Sequence, residues 1–239
     1  DSLQGNFDCY KLLSFGTFLL FGCDSATINK SINYLSKAVD CFRNKKEFAS
    51  LALVHYYIST ANYYIGNHKE AINDIGLAMK LDSNEIFLAD FSLVSGLINS
   101  RLGNYDEAKL DFINAIEIRK NDPLNLCAYG HHLNSINDKS GALIQYDKAI
   151  EIDTTHASLL SRAKFFIINK QFEEAKTDLK NAIEITNDDP EIHYYFSFIH
   201  AKESKFLYVI DYLKKAIENF NEGYITNLNE DKFITKVDL

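Results

Sequence analysis

Apolar residues recur along most of this chain at spacings of three and four, which is the period of an amphipathic α-helix. Five segments share one pattern: a first residue, which we call the anchor, then a large apolar residue four positions on and an alanine seven positions on. Residues at these spacings lie on one side of a helix, so each segment has a small–large–small stripe that admits a neighbouring helix closely. The anchors are Ala71, Ala108, Ala142, Ala175 and Val209, the large residues are Ile75, Phe112, Tyr146, Leu179 and Leu213, and the alanines are Ala78, Ala115, Ala149, Ala182 and Ala216.

The anchors are separated by 37, 34, 33 and 34 residues, so the chain repeats one unit of about that length. A fainter sixth copy precedes them, with Ser31, Leu35 and Ala38 in the stripe positions. The step from Ser31 to the next anchor is 40 residues, which predicts an insertion near residues 43–47.

Each repeat also contains a first helix, upstream of the anchor. Runs of about 14 residues with helical spacing occupy this position, and Gly66 and Gly103 stand five residues before their anchors, where a tight turn would join the two helices. Pro123 and Pro190 each follow an aspartate, eight residues after the last alanine of a stripe. An aspartate cap with proline at the first helical position begins a helix. Each repeat is therefore predicted to be helix–turn–helix.

A period near 34 residues, paired helices and the series Gly103, Tyr105, Ala108 resemble the tetratricopeptide repeat over residues 7–220. The chain departs from the family pattern in having no tryptophan. The small residue of the first helix remains glycine at Gly96 and Gly130, and is otherwise Ser59, Ala163 or Ser197. The resemblance implies an all-α, right-handed superhelical solenoid of antiparallel helix pairs.

The repeat pattern predicts three parts: a degenerate N-terminal helix pair at 1–47, five repeats at 48–220, and a capping helix or tail at 221–239. A solenoid needs a cap that hides its last apolar face from water. Tyr224, Ile225, Leu228, Phe233 and Ile234 could supply a short capping helix at 227–236. The alternative for this segment is an unordered tail.

In the tetratricopeptide family the first helices line a concave groove, and the resemblance predicts which residues line it here. The row is apolar and aromatic and contains isolated basic residues. This composition favours a peptide or an amphipathic helix as the ligand. Tyr56, Leu97, Leu160, Tyr194 and Phe198 are the expected apolar contacts, and Arg101, Lys164 and Lys202 are expected to pair with acids of the ligand. If the register is wrong by one residue, some of these residues belong to the core instead. The full row is Leu53, Tyr56, Thr60, Tyr63, Leu93, Leu97, Arg101, Cys127, His131, Asn134, Leu160, Lys164, Ile168, Tyr194, Phe198 and Lys202.

These features predict a non-enzymatic protein–protein interaction scaffold. Some family members clamp the acidic tails of chaperones with lysine, arginine and asparagine, but the matching positions here are Tyr56, Thr60, Leu93, Leu97 and Cys127, so a chaperone tail is not expected. Two alternatives remain: a structural subunit of a larger multiprotein complex, and the regulatory repeat region of a larger enzyme.

Composition narrows the classes of partner. The chain has a net charge of −8 and only four arginines. This composition disfavours nucleic acid as the partner, because surfaces that bind phosphate need clustered lysine and arginine side chains. No catalytic or phosphate-binding motif occurs, and no cofactor or metal is expected. Cys127 and His131 lie four apart on one helix, but no second pair converges on them, so an ordinary helix-face histidine is favoured.

The cysteines and the N-terminal apolar run bear on the compartment. No CxxC motif occurs among the four cysteines, Cys9, Cys23, Cys41 and Cys127. This spacing favours buried, reduced thiols and therefore a cytoplasmic protein. Residues 11–23 end in Gly22-Cys23, as in a lipoprotein signal. The run is shorter than the roughly 20 residues that cross a bilayer, and acidic residues precede it. A buried first helix is therefore the favoured interpretation, and a membrane is not an expected partner.

Overall fold

The computed structural model describes residues 8–20, 24–82, 85–186 and 189–218, and every regular element within these ranges is an α-helix. The helices form six consecutive pairs, which confirms the all-α class and the helix–turn–helix repeat. They are α1 (Cys9–Leu20), α2 (Ser25–Lys45), α3 (Phe48–Tyr64), α4 (His68–Leu81), α5 (Leu88–Leu102), α6 (Tyr105–Ile118), α7 (Pro123–Ser135), α8 (Lys139–Ile152), α9 (His156–Ile168), α10 (Phe172–Ile185), α11 (Pro190–Lys202) and α12 (Phe206–Glu218).

The small–large–small stripe is the contact between the helices of a pair. The anchor alanines and the second alanines are fully buried in α4, α6, α8 and α10. A Cβ atom added to Gly96 would lie 3.0 Å from the Phe112 ring, and one added to Gly130 would lie 3.0 Å from the Tyr146 ring. The first helix therefore needs a small residue opposite the large residue of the stripe.

The faint sixth copy forms a pair of the same kind. Ser31, Leu35 and Ala38 of α2 are fully buried, and a Cβ added to Gly16 of α1 would lie 2.7 Å from Leu35. The predicted insertion near 43–47 covers the last residues of α2, which ends at Lys45, and the two residues that connect it to α3.

The turn inside each of the last five pairs has one left-handed residue, always five positions before the anchor. The predicted glycines Gly66 and Gly103 have φ of 85° and 82°. Asn137, Lys170 and Ser204 occupy the same position with φ of 65°, 62° and 59°. Side chains other than glycine cost free energy in this conformation, so the turn is imposed by the packing of the two helices.

Replacing Lys170 with glycine should therefore raise the free energy of unfolding. Glycine relieves the strain of the left-handed conformation, which stabilises the folded state by about 1–2 kcal/mol. Its greater freedom in the unfolded chain lowers the stability by about 0.5–1 kcal/mol. The expected net gain in the free energy of unfolding is roughly 0.5–1 kcal/mol. Urea denaturation measures it. Lys180→Gly, in the interior of α10, is the matched control and should lower stability by about 1 kcal/mol. A loss of stability in both variants would contradict the prediction.

The two predicted proline starts are confirmed. Pro123 and Pro190 are the first residues of α7 and α11. The Asp122 carboxylate accepts a hydrogen bond from the Leu124 amide at 3.0 Å, and the Asp189 carboxylate accepts one from the Glu191 amide at 2.9 Å.

The chain divides into two compact units, residues 1–118 with α1 to α6 and residues 119–239 with α7 to α12. In the first unit, one cluster of buried side chains forms around Leu35, Phe42 and Val54, and a second around Phe91 and Ile98. The segment predicted to be a cap or tail, 221–239, lies outside the described residues.

Cys9 and Cys41 form a disulfide between α1 and α2. The prediction of reduced thiols is therefore wrong for this pair. The two cysteines are 32 positions apart in sequence, but the helix hairpin brings their Cα atoms to 5.5 Å. Cys127 is free and buried, as predicted.

The N-terminal apolar run forms α1 over residues 9–20, with Cys9, Leu12, Gly16 and Leu20 buried. This confirms a first helix with one buried face in that range. Cys23 lies outside the described residues. No described helix is both long enough and apolar enough to cross a membrane.

Candidate protein-interaction surfaces

In the first unit, the predicted groove residues lie side by side on α3 and α5. Tyr56, Thr60 and Tyr63 of α3 and Leu93 and Leu97 of α5 are half-buried. Because α3 and α5 are the first helices of neighbouring pairs, these side chains form one row, which we call the α3–α5 surface: Tyr56, Thr60, Tyr63, Leu93, Leu97 and Arg101.

Contacts between the two helices fix this surface. The Tyr56 ring lies 5.4 Å from the ring of Phe91, which is buried in α5. Arg101 is exposed, and its Nε donates a hydrogen bond to the hydroxyl of Tyr63 at 3.4 Å. The guanidinium is thereby held at one end of the row, beside aromatic surface.

The sequence prediction missed Tyr64. This side chain is 45% exposed, and its ring lies 5.9 Å from that of Tyr63. Consecutive tyrosines at the end of α3 were the available signal, since both cannot face the core of a helix pair.

Two aspartates of the second helices contact polar side chains of α3 and α5. Asp74 contacts His55 Nδ1 at 2.9 Å, and Asp111 accepts hydrogen bonds from Ser95 at 2.7 Å and Asn99 at 2.9 Å. Burial raises the pKa of Asp111, while these hydrogen bonds act in the opposite direction. Both aspartates stand three residues after an anchor, a regularity visible in the aligned repeats but not used in the prediction.

In the second unit, the α11 part of the predicted row is accessible. Tyr194 and Phe198 are half-buried, and Lys202 is exposed with its Nζ 5.3 Å from the centre of the Phe198 ring. The Tyr194 ring lies 5.3 Å from that of Tyr195. We call Tyr194, Phe198 and Lys202 the α11 surface.

The α9 part of the row differs from the prediction. Leu160 is only 5% exposed, so its expected role as a main apolar contact is wrong; it belongs to the core, as does Cys127 of α7. Ile168 is 50% exposed. The Lys164 ammonium pairs with the Glu191 carboxylate at 2.5 Å, which joins α9 to α11.

The two predicted residues of α7 also make contacts within the unit. His131 is exposed, and its Nδ1 lies within hydrogen-bond distance, 2.9 Å, of the Tyr146 hydroxyl. Asn134 accepts a hydrogen bond from Asn169 of α9 at 3.2 Å. Burial raises the pKa of Tyr146 far above its ordinary value, so this hydroxyl stays protonated.

Arg162 of α9 forms an ion-pair cluster with one aspartate of α8 and one of α10. Its guanidinium donates to Asp178 at 2.9 and 2.7 Å and to Asp147 at 2.6 Å. Asp178 is buried and stands three residues after its anchor, in the same position as Asp74 and Asp111. The hydrogen bonds that Arg162 donates to Asp178 and Asp147 raise the pKa of its guanidinium further.

The part of the chain that the structure describes contains no group of three or more histidine, cysteine or acidic residues placed to hold a metal. Burial raises the pKa of the Cys127 thiol to about 11. At neutral pH this group is therefore a thiol and not a nucleophilic thiolate.

Comparison with known proteins agrees with this geometry. A family model described as a tetratricopeptide repeat matches residues 89–122, which contain α6 and nearly all of α5. Residues 89–122 are thus identified as one tetratricopeptide repeat, and the other described helix pairs have the same helix–turn–helix form. No curated protein matches the sequence.

Several solved structures share the fold at low sequence identity. Yeast Tom70 is 19% identical with a TM-score of 0.67, over 96% of this repeat protein and 47% of Tom70. TTC0263, a tetratricopeptide repeat protein of Thermus thermophilus, is 12% identical with a TM-score of 0.67, over 80% of this protein and 98% of TTC0263.

The APC/C hetero-tetramer Cut9–Hcn1 is a third match, 16% identical with a TM-score of 0.63 over 89% of this protein. This repeat protein spans only 40% of that chain, as it spans less than half of Tom70. At these identities the likeness shows the fold alone.

Proposed function

We propose that this repeat protein is a non-enzymatic scaffold that binds a segment of a partner protein, as a peptide or amphipathic helix, on the exposed side of its first helices. The observation that carries the proposal is the α3–α5 surface. It combines two tyrosines, a threonine, two leucines and an arginine on adjacent helices, and both tyrosines pack against the buried cluster that contains Phe91 and Ile98.

Half-buried aromatic side chains suit this task. A tyrosine already held on one side loses little conformational freedom on binding and adds a large contact area, so aromatic residues and arginine dominate binding energy at protein interfaces. Tyr56 and Tyr63 meet this condition on α3, as Tyr194 and Phe198 do on α11.

The basic residues are expected to contribute unequally. Arg101 and Lys202 are exposed beside aromatic rings and can meet an acidic side chain of the ligand. Lys164 already pairs with Glu191, so an acid of the ligand would have to compete with an ion pair within the chain. A ligand with few, spaced acids fits these surfaces better than the acidic tail of a chaperone, and the net charge of −8 opposes nucleic acid.

Permanent membership of a multiprotein complex is the second form of this proposal. A structural subunit would use the same surfaces continuously, and its apolar side chains would promote self-association when the chain is isolated. A monomeric, soluble isolated chain that binds peptides reversibly distinguishes the scaffold from the obligate subunit.

Displayed random peptides selected on the full chain test the proposal. The affinity of a synthetic selected peptide is then measured by fluorescence anisotropy for the wild type and for Tyr56→Ala and Phe198→Ala. Removing a side chain that makes a main contact with the peptide should cost about 1–3 kcal/mol of binding free energy, which raises the dissociation constant about 5- to 150-fold.

Two apolar side chains on second helices are matched controls. Leu110 of α6 is 63% exposed and Ile144 of α8 is 51% exposed, so Leu110→Ala and Ile144→Ala remove similar exposed surface on the other side of their pairs. Peptides whose affinity falls in these variants but not in Tyr56→Ala or Phe198→Ala would place the binding site on the second helices.

The compartment is a separate part of the proposal. The Cys9–Cys41 disulfide supports a compartment where disulfides persist, in place of the cytoplasm expected from the cysteine spacing. Trapping of free thiols in intact cells, before lysis, decides between the two: alkylation of both Cys9 and Cys41 would indicate the reduced, cytoplasmic form.

A further inference from the structure

Aromatic side chains of the first helix pair are exposed on one side of α1. Phe18 is 72% exposed and Phe15 is 47% exposed, whereas Leu12, Gly16 and Leu20 of the same helix are buried. The two exposed rings are three positions apart, so they lie on one side of the helix, away from the side that packs into the protein. Water solvates such an apolar side poorly, which indicates an interaction surface.

The second helix of the pair continues this side and adds lysines to it. The Phe15 ring lies 4.7 Å from the half-buried Tyr34 ring of α2, edge to face. Lys30 and Lys37 stand four positions before and three positions after Tyr34, so they lie on the same side of α2, and Lys37 Nζ is 5.4 Å from the centre of the Tyr34 ring. Lys11 likewise stands four positions before Phe15 on α1, and all three lysines are exposed. We call these residues the α1–α2 surface: Lys11, Phe15, Phe18, Lys30, Tyr34 and Lys37.

The charge of this helix pair is opposite to that of the whole chain. Residues 9–45 contain five basic and two acidic residues, a net charge of +3, while the whole chain carries −8, so the rest of it carries −11. Both acids of the pair are engaged within it. Asp24 accepts a hydrogen bond from the Thr27 amide at 2.8 Å, and Asp40 pairs with Arg43 at 3.4 Å. The lysines of the α1–α2 surface therefore create a positive field that an anionic partner would complement.

Polar groups beside the exposed rings are hydrogen-bonded within the protein. The Thr17 hydroxyl donates to the Ser14 carbonyl oxygen at 3.0 Å, and the Tyr10 hydroxyl donates to the Glu47 carboxylate at 2.6 Å. The interior of a lipid layer offers no hydrogen-bond partners, so hydroxyls bonded in this way can approach it without loss. The long aliphatic stems of lysine can meanwhile follow an apolar surface and place their ammonium groups among charged headgroups. These features favour a lipid surface over a protein partner.

We propose that the α1–α2 surface binds the surface of an anionic lipid membrane. Phe15 and Phe18 enter the boundary between headgroups and acyl chains, where the apolar side of an interfacial helix lies, and the three lysines contact the anionic headgroups. The apolar run is too short to cross a bilayer, but a helix that lies on the surface needs no such length. This interaction is separate from the proposed binding of a protein segment, which uses α3, α5 and α11.

A single tryptophan can report contact with lipid, because the chain has none of its own. Phe18→Trp keeps an aromatic side chain, and its emission should shift to shorter wavelength when the full chain meets vesicles of equimolar phosphatidylcholine and phosphatidylserine. Brominated acyl chains in these vesicles should quench the emission. Leu110→Trp on α6, where the leucine is 63% exposed, is the matched control and should show neither effect. An emission of Phe18→Trp that the vesicles leave unchanged would overturn the proposal.

Sedimentation with vesicles measures what the lysines and the rings each contribute. Lys30→Ala with Lys37→Ala should lower the partition coefficient on the mixed vesicles roughly 25-fold, about fivefold for each lysine near an anionic surface, and should not change binding to phosphatidylcholine alone. Phe15→Ala with Phe18→Ala should weaken binding to both kinds of vesicle. Equal binding of the wild type to both kinds would overturn the proposal. So would a full chain that has twice the 27.3 kDa mass without vesicles and becomes a monomer when both phenylalanines are replaced, because a second copy would then be the occupant.

Discussion

Replacing Arg162 with methionine should lower the free energy of unfolding by about 3–5 kcal/mol. Arg162 donates two hydrogen bonds to Asp178, whose side chain is only 3% exposed. Methionine keeps most of the aliphatic volume but removes the charge, which leaves a carboxylate in the core without its cation. The cost arises from that uncompensated charge and not from the net worth of the ion pair.

Two variants separate this explanation from a general sensitivity of α9. Arg162→Met combined with Asp178→Leu removes both charges and should recover most of the lost stability. Asp147→Asn removes the outer partner of Arg162, which is 45% exposed, and should cost less than about 1 kcal/mol. Urea denaturation measures all three. A double variant as unstable as Arg162→Met alone would show that the buried charge is not the cause.

The repeat architecture could be predicted because packing imposes the same demand in every pair. A helix that contacts two neighbours needs small residues where the backbones approach, and Ala108 and Ala115 meet that demand in a form visible in sequence. The turn position was predictable at Gly66 and Gly103 for the same reason. At Lys170 and Ser204 the backbone has the same left-handed conformation without glycine, so only the register of the repeat points to it.

The surface row was less predictable because the same repeat position can be buried or half-exposed according to the residues that pack around it. Tyr56, Leu93, Leu160 and Tyr194 each stand fifteen residues before their anchors. The tyrosines and Leu93 are half-buried, whereas Leu160 lies wholly inside. Leucine is half-buried at position 93 and buried at position 160, so the exposure of this position depends on its neighbours and not on the size of its own side chain.

Pairings between distant residues could not be predicted from spacing alone. Arg162 and Asp178 are 16 residues apart, and nothing in the sequence distinguishes this arginine from the three others. The disulfide is a similar case, because pairing depends on how α1 and α2 lie against each other and not on the number of residues between the cysteines.

Removing that disulfide should lower the free energy of unfolding by about 3–4 kcal/mol. The bond closes a loop of 32 positions, and the loss of chain entropy in the unfolded state scales with the logarithm of that number. Cys9 is fully buried in the cluster that contains Leu35 and Phe42, so α1 also loses a fixed attachment to α2. The effect should appear as a lower urea midpoint and as faster hydrogen exchange in α1.

The variant Cys9→Ala with Cys41→Ala, compared with the wild type with and without dithiothreitol, measures the contribution. Reductant should bring the wild type down to within about 1 kcal/mol of the double variant, the remaining difference reflecting the small cavities left by alanine. The double variant lacks the Cys9–Cys41 disulfide, so reductant should shift its urea midpoint much less than that of the wild type. If oxidised wild type and double variant unfold at the same urea concentration, the disulfide does not stabilise the first unit, and the compartment inferred from it loses its support.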